Sequence, residues 1–253
     1  MLLAIDAGNT QTVYGMWDGS QWLATWRRNT DGAETEDELA VWLQGLCALS
    51  GIQFSVDKVV AATVVPAIHA SIARLAEKWL KAPVAFLESG AQVGLQVDYE
   101  PKTAVGPDRI ANALGALKIH KPPIIVVDFG TATTFDVVNR EGVYAGGAIL
   151  PGIEVASAAL VGRTSRLPRF ELKAPERAVG KNTVESLQSG MMLGYAGAID
   201  ALASRIDGEI GGGSAVISTG GLGSVFLGLC KSIEHYDKTL TLDGLVVAAK
   251  HLF

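Results

Sequence analysis

Residues 2–17 read LLAIDAGNTQTVYGMW, and this stretch decides the fold. A short apolar run ends on one acid, Asp6. Gly8-Asn9-Thr10 follows, and then an alternating run to Trp17. The pattern predicts a buried strand, a tight turn and a second strand paired back on the first. Asp18-Gly19 is a hairpin signal, and QWLATWRR, residues 21–28, reads as a third strand. The pattern then returns. IIVVDFGTATTFDVV, residues 124–138, places Asp128 and Gly130 each 122 positions after Asp6 and Gly8. At that spacing Thr10 and Thr12 fall on Ala132 and Thr134. A turn at Glu141-Gly142 leads into a third strand, VYAGGAILPG. Reuse of one motif in one order signals an internal duplication.

The segments between the copies fill out two α/β units. Residues 30–49 open with acids and carry Leu39, Trp42, Leu43 and Leu46 at helical spacing. DKVVAATVV reads as a strand ended by Pro66, AIHASIARLAEKWL as a helix and PVAFL as a short strand. Residues 88–106 are irregular and read as a functional loop or a domain crossing. DRIANALGALKIH is helical and is broken by Pro122-Pro123. In the second copy, helices are expected at 153–161 and 184–206. A strand, AVISTGG, and a last helix, LDGLVVAAKHL, follow. The expected domains are 1–117 and 118–253.

Composition narrows the function classes. The chain has 253 residues, a formal net charge of -5 and no basic stripe, which argues against a nucleic-acid surface. Cys47 and Cys230 match no metal or redox spacing. They read as two thiols in a reducing cytosol, with a single disulfide as the alternative. No basic segment precedes the first apolar stretch, and no uncharged apolar run approaches the ~18 residues that span a bilayer. A cytoplasmic protein with no membrane partner is expected. His69, His120, His235 and His251 have no partner at metal spacing and read as surface or core residues. Trp17, Trp22 and Trp26 read as packing residues of the first hairpin.

DAGNTQT and DFGTATT each set an acid at a strand end, then glycine, then hydroxyl residues. Glycine permits positive φ and close backbone approach. Turn amides and hydroxyls can bind phosphate oxygens, and an acid can hold a cation that bridges to them. The plain alternative is two tight turns with aspartate in its usual turn role. Recurrence at matching positions favours the ligand reading. VGPDRIANALG opens a helix, with Pro107 suited to its first position and Asp108 where the helix dipole favours an anion. Ile110, Ala113, Leu114 and Leu117 form its apolar face. From this segment alone, Asp108 is a helix-start residue and Arg109 a surface cation.

Taken together, the motifs carry a resemblance. The duplicated Asp-x-Gly hairpins look like those of the acetate and sugar kinase, heat-shock chaperone and actin superfamily. IDAGNT, VVPAI, GPDRIANALGA, DFGTATTFDVV, GGAILPGI and GKNTVESLQSG, in that order, resemble type III pantothenate kinase. The resemblance implies an α/β fold of duplicated ribonuclease H-like βββαβα units, with a nucleotide cleft between two actin-like domains. It implies ATP-dependent phosphorylation of pantothenate to 4'-phosphopantothenate, the first step of coenzyme A biosynthesis. Asp108 would be the base, with Arg109 clamping substrate or developing charge. Asp6, Ala7, Gly8, Asn9, Thr10, Gln11, Thr12 and Val13 match the ATP-binding turn, and Thr131 an ATP contact. Asp6 would hold magnesium through water. Asp128 matches the monovalent-cation site, for potassium or ammonium. Tyr99, Gly106, Pro107, Asp108, Arg109 and Thr183 match pantothenate contacts. The family pattern at 106–109 is usually Gly-Ala-Asp-Arg, so Pro107 is a departure.

Thr183 also reads as a helix N-cap. STGGLG, 218–223, reads as a turn near the adenosine. Gly190, Gly194 and Gly197 read as a close helix-packing stripe, and a homodimer is expected from similar enzymes. The rival expectations are another small-molecule kinase of the superfamily and a non-catalytic regulatory accessory factor.

Overall fold

The computed structural model describes residues 1–253. Its elements, in chain order, are β1 (Leu2–Ala7), β2 (Gln11–Trp17), β3 (Trp22–Asn29), α1 (Glu36–Leu49), β4 (Lys58–Thr63), α2 (Pro66–Leu75), β5 (Val84–Phe86), α3 (Pro107–Ile119), β6 (Ile124–Phe129), β7 (Ala132–Val138), β8 (Tyr144–Pro151), α4 (Ile153–Gly162), α5 (Thr183–Glu209), β9 (Ala215–Gly220), α6 (Gly223–Leu227), β10 (His235–Tyr236) and α7 (Leu240–Leu252).

In the first unit the sheet order is β3-β2-β1-β4-β5. The β1-β2-β3 meander is antiparallel, while β4 and β5 run parallel to β1. One face carries Leu3, Ile5 and Ala7 into a core with Leu39, Leu43 and Cys47 of α1 and Ile68, Ile72 and Leu75 of α2. Helix α7 packs on β1 and β4. Covering from both sides explains why Leu3–Ile5 and Val59–Ala62 are buried without alternation. Helix α1 begins at a capping box, in which Thr35 and Glu38 satisfy each other's backbone amides. Helix α2 runs on into a π-helical turn, Ala76–Leu80.

Packing divides the chain into Met1–Lys118 with Leu240–Phe253, and Ile119–Thr239. The expected division put the last helix in the second domain, whereas its contacts belong to the first. The reason is close backbone approach: a Cβ on Gly244 would collide with the Ala111 carbonyl of α3, and one on Gly115 with that of Leu240. Asp243 of α7 accepts from Lys118 Nζ at 2.8 Å and from Trp22 Nε1 at 3.4 Å. Trp17 and Trp22 meet edge to face at 5.0 Å, so these two indoles pack against the unit's own residues.

The second unit repeats the order as β10-β9-β6-β7-β8, with β9 and β10 parallel to β6. Ile125, Val127 and Phe135 pack with Met192, Ala196, Ile199 and Ala203 of α5. Phe129 stacks on Phe226 at 4.7 Å. Cys47 and Cys230 are buried and free, so the disulfide alternative is not realised. The packing expected of Gly190, Gly194 and Gly197 is not made within the chain, because a Cβ on any of them would meet nothing within 4 Å. No helix is long and apolar enough to cross a membrane.

Candidate active site

Both acid-led turns lie at strand ends, and their registers differ. In the first unit Asp6 pairs with Val13 and Ala7 with Thr12. Gly8–Gln11 then forms the connection, closed by the Gly8 amide donating to the Gln11 carbonyl at 3.1 Å. In the second unit Asp128 pairs with Thr134 and Phe129 with Thr133. The Gly130 amide closes that turn on the Ala132 carbonyl at 3.1 Å. The second turn is therefore one residue shorter. Thr12 has its counterpart in Thr133, not Thr134, and Thr10 in Thr131, not Ala132. The third strands agree, since the Thr30 amide donates to Thr10 at 2.9 Å and the Gly152 amide to Thr131 at 3.0 Å. Thr12 and Thr133 are buried, while Asn9, Thr10 and Thr131 are exposed.

Asp6 and Asp128 are half-buried, opposite Ala62 of β4 and Thr219 of β9 in parallel ladders. Asp128 lies against the STGGLG turn. Gly220 there has φ +85, and a Cβ on it would stand 2.6 Å from both Asp128 Oδ1 and the Phe129 carbonyl. Asp128 Oδ1 and the Phe129 carbonyl are both oxygen donors, the kind that a hard cation takes. No group of three or more His, Cys, Asp or Glu residues is placed to hold a metal ion. Asp6 offers one carboxylate, and magnesium is commonly held through one or two carboxylates while keeping several waters.

Asp108 stands in the first turn of α3. Its Oδ1 accepts from the Arg109 amide at 2.9 Å, and the Ile110 amide donates to Gly106 at 3.2 Å. A Cβ on Gly106 would be 2.5 Å from Asp108 Oδ1, so glycine leaves room for the carboxylate. Arg109 is buried rather than the surface cation that its segment suggests. Beside this turn is a cavity of about 260 Å³ lined by Thr63, His69, Phe86, Leu87, Glu88 and Pro107. The His69 ring stacks on Phe86 at 3.6 Å. The ring of Pro107 thus forms part of a cavity wall. Tyr99 is half-buried in the irregular segment between turns at Gly90–Val93 and Lys102–Ala104.

The GKNT segment opens α5. Asn182, not Thr183, is the N-cap: its side chain accepts from the Glu185 amide at 2.9 Å. Glu185 reaches back to the Lys181 amide at 2.8 Å, and this bond, with Arg177 nearby, holds its carboxyl below the ordinary range. A Cβ on Gly180 would collide with the Ser186 backbone. Thr183 is left exposed on the first turn.

The model of the family described as type III pantothenate kinase matches residues 2–205. The chain belongs to the type III pantothenate kinase family. A type III pantothenate kinase of Maricaulis maris is 42% identical over 248 residues, covering 97% of this chain and 96% of that protein. One of Myxococcus xanthus is 40% identical, covering 97% and 96%. Among solved structures, a putative Baf family transcriptional activator from Campylobacter jejuni aligns with TM-score 0.64 and 21% identity, over 98% of this chain and 97% of that one. At that identity the likeness shows the fold alone.

Within this type III pantothenate kinase family member, two neighbours of the turns were not singled out from sequence. One is Gly220 as a contact of Asp128. The other is Thr30, the first residue of the acid-led segment 30–49, which lies against Gly8. Behind Thr30, Arg28 pairs with buried Glu34 and stands over Trp42, 4.9 Å from the ring centre. Burial pushes the Glu34 carboxyl up, with Arg28 pulling against it. Burial, then Glu34, pushes the Tyr14 phenol up.

Proposed function

We propose that this protein transfers the γ-phosphoryl group of ATP to the primary hydroxyl of pantothenate, giving 4'-phosphopantothenate and ADP. The observation that carries the reading is the match to one kinase family along most of the chain, with Asp108 and Arg109 opening α3. The hydroxyl oxygen forms a bond to the γ-phosphorus, the bond to the leaving ADP oxygen breaks, and the hydroxyl proton passes to Asp108. A carboxylate at a helix start is a weak base. Phosphoryl transfer has a loose transition state, however, and asks mostly for positioning and charge neutralisation.

Arg109 clamps substrate or the charge that develops. Gly106, Pro107, Tyr99 and Thr183 contact pantothenate. The turn from Asp6 to Val13 contacts ATP, as does Thr131. Magnesium, held by Asp6 through water, would neutralise phosphate charge, and potassium or ammonium would sit at Asp128. The open, exposed Gly190, Gly194 and Gly197 support a homodimer that covers this face of α5. Two buried free thiols fit a cytoplasmic setting. The test is ADP release in a coupled assay, with and without pantothenate and potassium. Release that depends on pantothenate is expected; ADP release indifferent to pantothenate would refute the acceptor.

A further inference from the structure

The two acid-led turns differ at one equivalent position. The ladder bond from Thr30 to Thr10 matches the bond from Gly152 to Thr131. In the second unit only glycine fits, because a Cβ on Gly152 would run into the Thr131 carbonyl and stand 2.5 Å from that of Gly130. The extra residue of the first turn opens this space, and a side chain fills it. The Thr30 hydroxyl donates to the Gly8 carbonyl at 2.6 Å, and Thr30 Oγ1 lies 2.9 Å from Thr12 Oγ1.

We propose that Thr30 is a positioning residue that aims the first turn's amides at nucleotide phosphates. The Gly8–Asn9 peptide is trans, since the only cis bonds are Glu100-Pro101 and Pro122-Pro123. In a planar trans peptide the C=O and the following N–H point in opposite directions. Holding the Gly8 carbonyl on Thr30 therefore turns the Asn9 amide away from Thr30, toward the exposed side of the turn. Without that bond the peptide can rotate and present a carbonyl, which repels phosphate. Thr30 is itself anchored. Its amide is in the ladder, and the Asp31 turn after it, with the Glu34 amide donating to the Asp31 carbonyl at 3.2 Å, brings Glu34 back to Arg28.

This rests on the reading of Gly8–Thr10 as a phosphate turn, and the test separates the two. Thr30→Val keeps shape and removes the hydroxyl, while Thr30→Ser keeps the hydroxyl. Calorimetry with a magnesium-loaded, non-hydrolysable ATP analogue needs no pantothenate. Loss of one such bond is expected to weaken the analogue about tenfold in Thr30→Val, and to raise KM for ATP similarly. KM for pantothenate is expected to stay near wild type and Thr30→Ser to restore binding, while the unfolding midpoint of Thr30→Val falls only by what the loss of one hydrogen bond explains. Analogue binding by Thr30→Val at the wild-type level would overturn the proposal. So would Thr30→Ser as weak as Thr30→Val, or equal rises in both KM values with a midpoint lowered by more than that. A wild type that binds the analogue but ignores pantothenate would refute the acceptor reading, and the calorimetric ratio would still decide Thr30. A wild type that binds no analogue would overturn both.

Discussion

Gly220→Ala tests whether the STGGLG turn and Asp128 form one site. Gly220 has φ +85, and its Cβ would sit 2.6 Å from Asp128 Oδ1 and from the Phe129 carbonyl. The left-handed backbone costs an alanine roughly 1–2 kcal/mol. Overpacking against backbone and carboxylate adds about 1–3 kcal/mol. Gly142→Ala is the control, because it shares a positive φ of +77 but its Cβ would meet nothing within 4 Å. The two variants should therefore differ by the overpacking alone. All five tryptophans, at 17, 22, 26, 42 and 79, lie in the first unit, so unfolding of the second is followed by far-ultraviolet circular dichroism in urea.

The functional effect follows from the same clash. Relief to an ordinary contact moves the Asp128 oxygen by roughly 0.7 Å. On the reading that Asp128 holds a monovalent cation, a shift from about 2.8 to about 3.5 Å at an effective dielectric of about 20 removes roughly 1.2 kcal/mol of attraction. The half-saturating potassium concentration of Gly220→Ala should then rise somewhat under tenfold, with Gly142→Ala unchanged. Equal stability of the two variants and equal potassium responses would refute the reasoning.

Asp108→Asn should lose at least about 100-fold in kcat while keeping its unfolding midpoint, since a positioned base contributes on that order. An active Asp108→Asn protein in steady-state kinetics would refute the base assignment. Glu36 is held down to about 2 by Arg74, its own amide and Lys78. A depressed folded-state pKa contributes stability above the ordinary value of 4.5 that is lost as pH falls toward 2. The gap in urea midpoint between wild type and Glu36→Gln should be open at pH 7 and narrow steadily below about 4.5. A gap that widens on acidification would contradict the ion pairing of Glu36 with Arg74.

The duplication was legible because an acid, a glycine and hydroxyls recur at strand ends, and the βββ order survives in both sheets. The single-residue difference between the turns was not legible. A constant offset fits Asp6 with Asp128 and Gly8 with Gly130, and the slip falls only after them. The side to which α7 belongs was hidden for a different reason. Its apolar pattern names no sheet, and the close approaches of Gly244 to Ala111 and of Gly115 to Leu240 settle it. Asn182 and Thr183 are both good caps, so the residue types alone do not place the N-cap of α5, which is Asn182. The two-residue strand β10 sits in the polar run SIEHYDK, which carries no alternation to read. Asp108 and Arg109 had chemistry only through resemblance to a family. From the residues alone they were a helix start.

The most direct test of pantothenate phosphorylation is mass spectrometry of the acceptor after incubation with the wild-type protein, magnesium, potassium and ATP. Conversion of pantothenate to a species heavier by one phosphoryl group, in step with ADP, is the expected result. Unmodified pantothenate alongside a folded protein that binds the nucleotide would contradict the account.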